Sequence, residues 1–170
     1  MVKRLTVILL IVVAKNYAFG QSYSTEKVDI NTKSNLFCPA FYGGDLVICS
    51  DVRSRIIPTI INDRENEPVD IYHLDVESKQ LIQFDEAFRT NFNDGPVSFD
   101  EKQNISVVSR NQTSNVPKRL AHLAQNNLGL FTYYKWSNKW ASPENFPYNK
   151  PEYSCTHPAL SADGKTLVVL

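Results

Sequence analysis

The sequence predicts an all-β protein built from repeated antiparallel sheets, and three observations lead to this prediction. Three stretches share one order of residues: a proline, small or apolar residues, a polar turn and an apolar strand. They read PAFYGGDLVICSD from Pro39, PVSFDEKQNISVVSR from Pro96 and PALSADGKTLVVL from Pro158. Copies that recur at a period of roughly 60 residues are typical of repeat architectures. The rest of the chain is rich in Asn, Ser, Asp, Tyr and Phe, which suit short strands and turns.

Residues 1–20 have the pattern of a signal peptide. Lys3 and Arg4 form a basic start, Leu5–Ala14 is an apolar run, and small residues follow at Ala18–Gly20. The run is shorter than the roughly 20 residues that span a bilayer, and no later segment is apolar enough to do so. We therefore expect an exported protein without a transmembrane segment after signal cleavage.

The charge balance excludes two classes of partner. Eighteen basic residues offset eighteen acidic ones, so neither nucleic acid nor an anionic membrane is an expected partner. Residues 21–34 contain only Val28 and Ile30 as branched apolar residues, which predicts a linker before the ordered part begins near residue 35.

The first unit is predicted to contain four strands. Leu36–Phe41 and Leu46–Ser50 form a hairpin, Pro68–Val76 alternates with a period near two, and Leu81–Phe84 follows as a fourth strand. Both faces of the second strand are apolar, which predicts a sheet buried between neighbours.

The second unit repeats this order. A hairpin over Pro96–Arg110 is followed by an apolar strand at Leu128–Tyr134, and Trp136 and Trp140 flank a turn to a fourth strand. A short helix is predicted over Lys118–Gln125, between the hairpin and the third strand of this unit.

Four-stranded antiparallel units in tandem are typical of β-propeller blades arranged around a channel. The sequence thus predicts an incomplete β-propeller over residues 35–170: two four-stranded blades at about 35–90 and 91–150, and the first hairpin of a third at 151–170. Since the third unit stops inside its second strand, we expect a truncated piece of a longer protein.

Several segments resemble a known family. FNDGPVSF, KWSNKWASPENFPYN, EYSCTHPALSADGKTLVV and FCPAFYGGDLVICSD are similar to the TolB-like, WD-like propeller repeats of OmpA-family envelope proteins of Bacteroidetes. The resemblance covers most of residues 35–170. The chain departs from it at Asp100–Asn104, where DEKQN replaces an Asp-Gly turn, and at Ser106, where an aromatic residue is typical.

The resemblance implies a function in the bacterial envelope. Family members carry a complete propeller and a peptidoglycan-binding domain, and several work beside outer-membrane secretion or gliding machinery. We therefore expect a non-catalytic binding or scaffold protein of the periplasm or outer membrane, with envelope proteins or the remaining blades as partners. Two alternatives stay open: the propeller lid of an exported peptidase or glycan hydrolase, and a self-contained secreted ligand-binding sandwich.

No catalytic, cofactor-binding or metal-binding residues are predicted. The chain has no Gly-x-Ser-x-Gly elbow, and His73, His122 and His157 do not have the spacing of metal ligands. We expect His157 to form a hydrogen bond within its blade. Asp163-Gly164 is predicted to be a hairpin turn.

Two further sets of residues are candidates for a specific role. A two-residue turn at Gly43-Gly44 would place Cys38 and Cys49 opposite each other, either as a disulfide or as two buried thiols. The two residues would form a hydrogen-bonded pair, which is the wider of the two pair types in an antiparallel ladder, and this spacing favours the thiols. Cys155 has no evident partner. The second set is aromatic and consists of Tyr133, Tyr134, Trp136 and Trp140. These side chains could form an interaction patch, or they could pack between blades. We favour packing between blades.

Overall fold

The computed structural model describes residues 23–30, 32, 34–52, 68–90, 92–112 and 127–170. The predicted signal peptide and the predicted helix at Lys118–Gln125 lie outside these residues. The strands are β1 (Leu36–Tyr42), β2 (Asp45–Ser50), β3 (Asp70–Asp75), β4 (Gln80–Gln83), β5 (Asp94–Phe99), β6 (Ile105–Asn111), β7 (Leu128–Trp136), β8 (Lys139–Trp140), β9 (Glu144–Asn145), β10 (Ala159–Leu160) and β11 (Leu167–Val168). One 3₁₀ turn, Glu86–Phe88, follows β4.

The strands form three antiparallel sheets. The first sheet has the order β1-β2-β3-β4, the second has the order β5-β6-β7-β8 with β9 also paired to β7, and the third is the hairpin β10-β11. Within each sheet, every strand pairs with the next along the chain, apart from β9, which pairs with β7. The predicted all-β, antiparallel architecture is confirmed, as sheets of four, five and two strands.

The turns of the three proline-led hairpins use residues with positive φ. Gly43 and Gly44 have φ of 64° and 91° and connect Tyr42 to Asp45, which face each other in the ladder. Positive φ at both central residues is the requirement of the two-residue turn that matches strand twist. In the two longer turns, Gln103 and Gly164 have φ of 57° and 70°. The predicted hairpin around Asp163-Gly164 is therefore confirmed.

Each first strand carries the same one-residue bulge next to its proline. In β1, Phe37 pairs with Cys49 but Ala40 pairs with Val47, so three steps along one strand match two along the other. The same shift occurs in β5, where Asp94 pairs with Arg110 and Val97 with Val108. A one-residue excess of this kind defines a β-bulge.

The third hairpin repeats the shift. Thr156 and Leu170 exchange both backbone hydrogen bonds, whereas Ala159 pairs with Val168. In all three hairpins the residue before the proline has positive φ: 50° at Cys38, 105° at Gly95 and 52° at His157. The three proline-led stretches are therefore copies in conformation as well as in sequence.

The second sheet differs from the prediction of four strands because its last strand is split. β8 pairs with Lys135 and Trp136, and β9 pairs with Phe131 and Thr132 farther along the same edge of β7. Pro143 lies between the two short strands. Proline lacks an N–H and is confined to edges and bulges, so it interrupts the pairing at this position.

The main hydrophobic core lies between the first and second sheets. Its buried members come from both sheets and from the 3₁₀ turn: Val47, Cys49, Ile71, Phe88, Val97, Val108 and Tyr133. Phe88 stacks on Tyr133 with ring centroids 4.4 Å apart and meets Trp140 edge-on at 5.1 Å. The first sheet is thus covered on one face by the second, as the apolar residues of β2 predicted.

A smaller cluster covers the opposite face of the first sheet. Ile48, Tyr72 and Leu74 are buried there, and Ile30 from the segment before β1 packs against them. Residues 23–29 of that segment are exposed. Ile30 therefore anchors the end of the predicted linker to the sheet.

The third sheet packs on the other side of the second. The Leu160 N–H donates to the Ser98 Oγ at 2.9 Å, and the Glu101 N–H donates to the Ala162 carbonyl at 3.0 Å. The second of these bonds joins the turn of one hairpin to the turn of the next. The Gln103 amide oxygen of the second turn also lies 3.7 Å from the β-position of Gly43 in the first. The three proline-led hairpins consequently present their turns at the same edge of the molecule.

Replacement of Gly95 by alanine tests the close approach of the first two sheets. A β-carbon at Gly95 would overlap the Cys49 sulfur, whereas Gly44 has a similar φ of +91° with no atom within 4 Å of its β-position. We expect Gly44→Ala to lower the free energy of unfolding by about 1 kcal/mol, through backbone strain alone. Gly95→Ala should lower it by about 3 kcal/mol, because overlap in a packed core adds to that strain. Urea denaturation measures both, and equal losses would contradict the packing described here.

Candidate binding cleft

A cleft of about 320 Å³ opens where the three hairpin turns meet. It is bounded by the end of β1 and its turn, by the end of β5 and its turn, and by the residues at the end of β10. Its lining residues are Phe41, Tyr42, Gly43, Gly44, Phe99, Asp100, Glu101, Gln103, Leu160 and Ala162. Every one of the three sheets therefore contributes to this cleft.

Aromatic and aliphatic side chains form about half of the cleft lining. Phe41 is 80 % exposed at the mouth, while Tyr42 and Phe99 are half-buried with ring centroids 4.8 Å apart. Tyr42 also meets Phe84 edge-on at 5.0 Å. These contacts hold Tyr42 and Phe99 rigidly, because both rings belong to the core behind them.

Lys135 supports the cleft from behind. Its Nζ donates to the Tyr42 Oη at 2.7 Å and lies 5.6 Å from the centre of the Trp140 ring. A cation within about 6 Å of an aromatic face is attracted by the ring quadrupole. The bond links β7 of the second sheet to β1 of the first.

Asp100 shapes the turn that forms one side of the cleft. Its Oδ1 accepts hydrogen bonds from the N–H groups of Asn104 at 2.8 Å and Ile105 at 2.7 Å. Ser161 has the matching place in the third hairpin, where its Oγ accepts from the Thr166 N–H at 3.0 Å. Although DEKQN lacks the Asp-Gly pair, it closes an equivalent turn by a side-chain acceptor.

The four residues of the predicted aromatic patch do not share one surface. Tyr133 is fully buried and Trp140 packs in the core, whereas Trp136 is 74 % exposed beside the turn to β8. Tyr134 is half-buried. Phe41, which the sequence did not single out, is the aromatic residue exposed at the cleft.

The cysteines are free thiols in this structure. The bulge in β1 places Phe37 opposite Cys49, so the expected direct pairing of Cys38 with Cys49 is interrupted. Burial, together with smaller contributions from the neighbouring Cys38 and Asp94, raises the pKa of Cys49 to about 12. A thiol with so high a pKa is a poor nucleophile at neutral pH.

The two described histidines form local contacts. His157 Nδ1 lies 2.8 Å from the Oγ1 of its neighbour Thr156, and His73 Nε2 lies 3.1 Å from the Asp45 Oδ2. Within the described parts of the chain, no group of three or more His, Cys, Asp or Glu side chains could hold a metal ion. His122 lies outside these parts.

A buried carboxyl group lies at the other end of the strands, between the first two sheets. Asp94 is fully buried and accepts hydrogen bonds from the Thr90 N–H at 2.6 Å and from the Thr90 Oγ1 at 2.9 Å. Burial raises the pKa of Asp94 to about 7; Asp70 raises it as well, while Thr90 and Arg110 act in the opposite direction. Arg110 donates to the Tyr133 Oη.

Comparisons with family models, with curated proteins and with solved structures find no match to this chain. In the portions that the structure describes, no helix has the length and apolarity needed to cross a membrane.

Removal of the Asp94 carboxyl should flatten the pH dependence of stability. Because the folded pKa of about 7 lies above the ordinary aspartate pKa of 3.8, the unfolded chain ionises first and the native state loses stability as pH rises from about 4 to about 7. We expect the free energy of unfolding of the wild type to fall over this range and that of Asp94→Asn to fall less. Denaturant titrations at several pH values measure the difference.

Asp163→Asn is the matched control for this experiment. The Asp163 carboxylate is exposed and accepts from the Ser161 Oγ and the Lys165 N–H, bonds that lower its pKa. Its stabilising effect is present above the unfolded pKa and is lost only as pH falls below it. The control should keep the wild-type slope between pH 4 and 7, and an unchanged slope in Asp94→Asn would refute the assignment.

Proposed function

We propose that this chain is a non-catalytic binding or scaffold module of the bacterial cell envelope, and that its stacked sheets are consecutive blades of a β-propeller. The observation that carries the proposal is the cleft to which all three sheets contribute through equivalent hairpin turns. Binding sites commonly form where repeated units present their loops at one edge.

The sheet geometry supports the propeller assignment. Propeller blades are four-stranded antiparallel sheets arranged radially around a channel. The first two sheets here pair their strands in chain order, and β5 contacts β1, β2 and β3 of the first sheet. β10 in turn contacts β5 and β6, so each unit packs against the next.

The chemistry of the cleft favours binding over catalysis. Asp100 and Glu101 supply its carboxyl groups, and the Asp100 carboxyl is already held by two backbone N–H groups. A nucleophile needs an adjacent base that is oriented by a third group, and the described residues that line the cleft provide no such set. The remaining lining is suited to contact rather than to proton transfer.

The location in the envelope is supported by the signal-peptide pattern of residues 1–20 and by the resemblance of the hairpin segments to envelope propeller repeats. Both features are read from the amino-acid sequence. Fold similarity alone does not define a partner, so the partner has to be found by experiment.

Photo-crosslinking in the producing cells tests the proposal. With p-benzoylphenylalanine in place of Phe41, which is 80 % exposed at the cleft, we expect a discrete adduct with an envelope protein. Tyr148, 69 % exposed in the segment after β9, is the matched control position and should give no such adduct. Mass spectrometry identifies the adduct and the mature N-terminus near residue 21.

Two results would contradict the proposed function. One is the absence of any adduct specific to Phe41, and the other is recovery of the uncleaved protein in the cytoplasmic fraction.

A further inference from the structure

We infer that the cleft binds an extended peptide segment in which a basic side chain lies between apolar ones. This inference rests on the proposed binding function and names the chemistry of the partner. It is based on the charge of the cleft lip, on the aromatic wall and on the open space at the Gly43-Gly44 turn.

The lip of the cleft has negative charge without a matching cation. Glu101 is an exposed lining residue, whereas the Asp100 side chain beside it is buried and its Oδ1 already accepts two backbone N–H bonds. Glu101 therefore supplies the exposed negative charge. No lysine, arginine or histidine is among the described lining residues. Lys102 occupies the same turn without lining the cleft, and the Lys135 ammonium is already bonded to the Tyr42 hydroxyl.

The wall beside this lip suits the apolar stem of a basic side chain. Phe41 projects into solvent at the mouth, and Phe99 and Leu160 lie deeper, half-buried. Lysine and arginine place their methylene groups on apolar surfaces while the charge stays near water, and aromatic faces attract the charge itself. An acidic or purely polar segment would leave this wall uncovered.

The glycine turn leaves room for a second backbone. No atom lies within 4 Å of the β-position of Gly44, and the nearest at Gly43 is the Gln103 amide oxygen at 3.7 Å. Without side chains at these positions, a peptide can approach the turn closely. The volume of about 320 Å³ is at the lower end for ligand sites, so it suits a few side chains rather than a folded surface.

Three short peptides test the inference on the full chain. The first is acetyl-Gly-Leu-Arg-Leu-Gly-amide, the second replaces its Arg with Glu, and the third replaces both Leu with Ser. Binding is followed by NMR of ¹⁵N-glycine-labelled protein, since the chain has only six glycines and two of them line the cleft. We expect the first peptide to shift the Gly43 and Gly44 signals and the other two to bind much more weakly.

Substitutions locate the binding determinants. Glu101→Gln should lower the affinity for the first peptide about 3-fold and make this affinity less dependent on salt, as expected for one exposed ion pair. Phe41→Ala should lower the affinity about 10-fold, as expected for an aromatic anchor. Glu144→Gln and Tyr148→Ala change an exposed carboxylate and an exposed ring in the segment around β9, and should leave binding unchanged.

The inference fails if the Glu peptide binds as well as the Arg peptide, if no peptide shifts the Gly43 and Gly44 signals, or if the cleft variants bind like the wild type. These results are separable from failure of the proposed function. A specific Phe41 adduct in cells together with a negative peptide test would retain the binding role and reject only this class of partner.

Discussion

The bulge before each proline is the constraint on which the rest of the structure depends. Proline cannot donate to the ladder, and the residue before it has positive φ at Cys38, Gly95 and His157. The extra residue changes which face of the strand points to the core. In β1, Leu36 packs in the outer cluster of the first sheet, whereas Cys38, Ala40 and Tyr42 pack in the core between sheets. The bulge thus allows a single strand to serve both layers.

The same device sets how closely the sheets approach. At Gly95 the backbone of β5 lies against Cys49 and Ile71 of the first sheet, with no space for a side chain. The aromatic cluster around Phe88 fills the wider gap toward the turns, since aromatic rings bury large areas in edge-on and stacked contacts. Asp94 is buried at the opposite end, where the half-buried Thr90 donates to its carboxylate. The interface therefore combines a tight contact, a cluster of packed aromatic rings and a buried carboxyl group.

The cleft forms because the three proline-led hairpins have the same orientation. Because each hairpin starts with the same bulge and runs in the same direction, the turns of consecutive units come to one edge, where a backbone bond joins Glu101 to Ala162. Turns carry little of the core and accept sequence change readily. This explains why DEKQN and Asp163-Gly164 can close equivalent turns with different side chains.

By itself, the sequence determined the units: the three proline-led hairpins, the four strands of the first sheet, the first three of the second and the apolar faces of β2 follow from local period and turn chemistry. Pairing at the turn was also predictable, since Gly43-Gly44 defines it. Tertiary structure decided the bulges, which moved Phe37 opposite Cys49, and the split of the last strand at Pro143. It also separated Tyr133 and Trp140 from Trp136, and it assembled the cleft around Phe41. Burial and contact between residues far apart in the chain depend on how sheets stack, and a periodic pattern defines each sheet's faces without specifying what covers them.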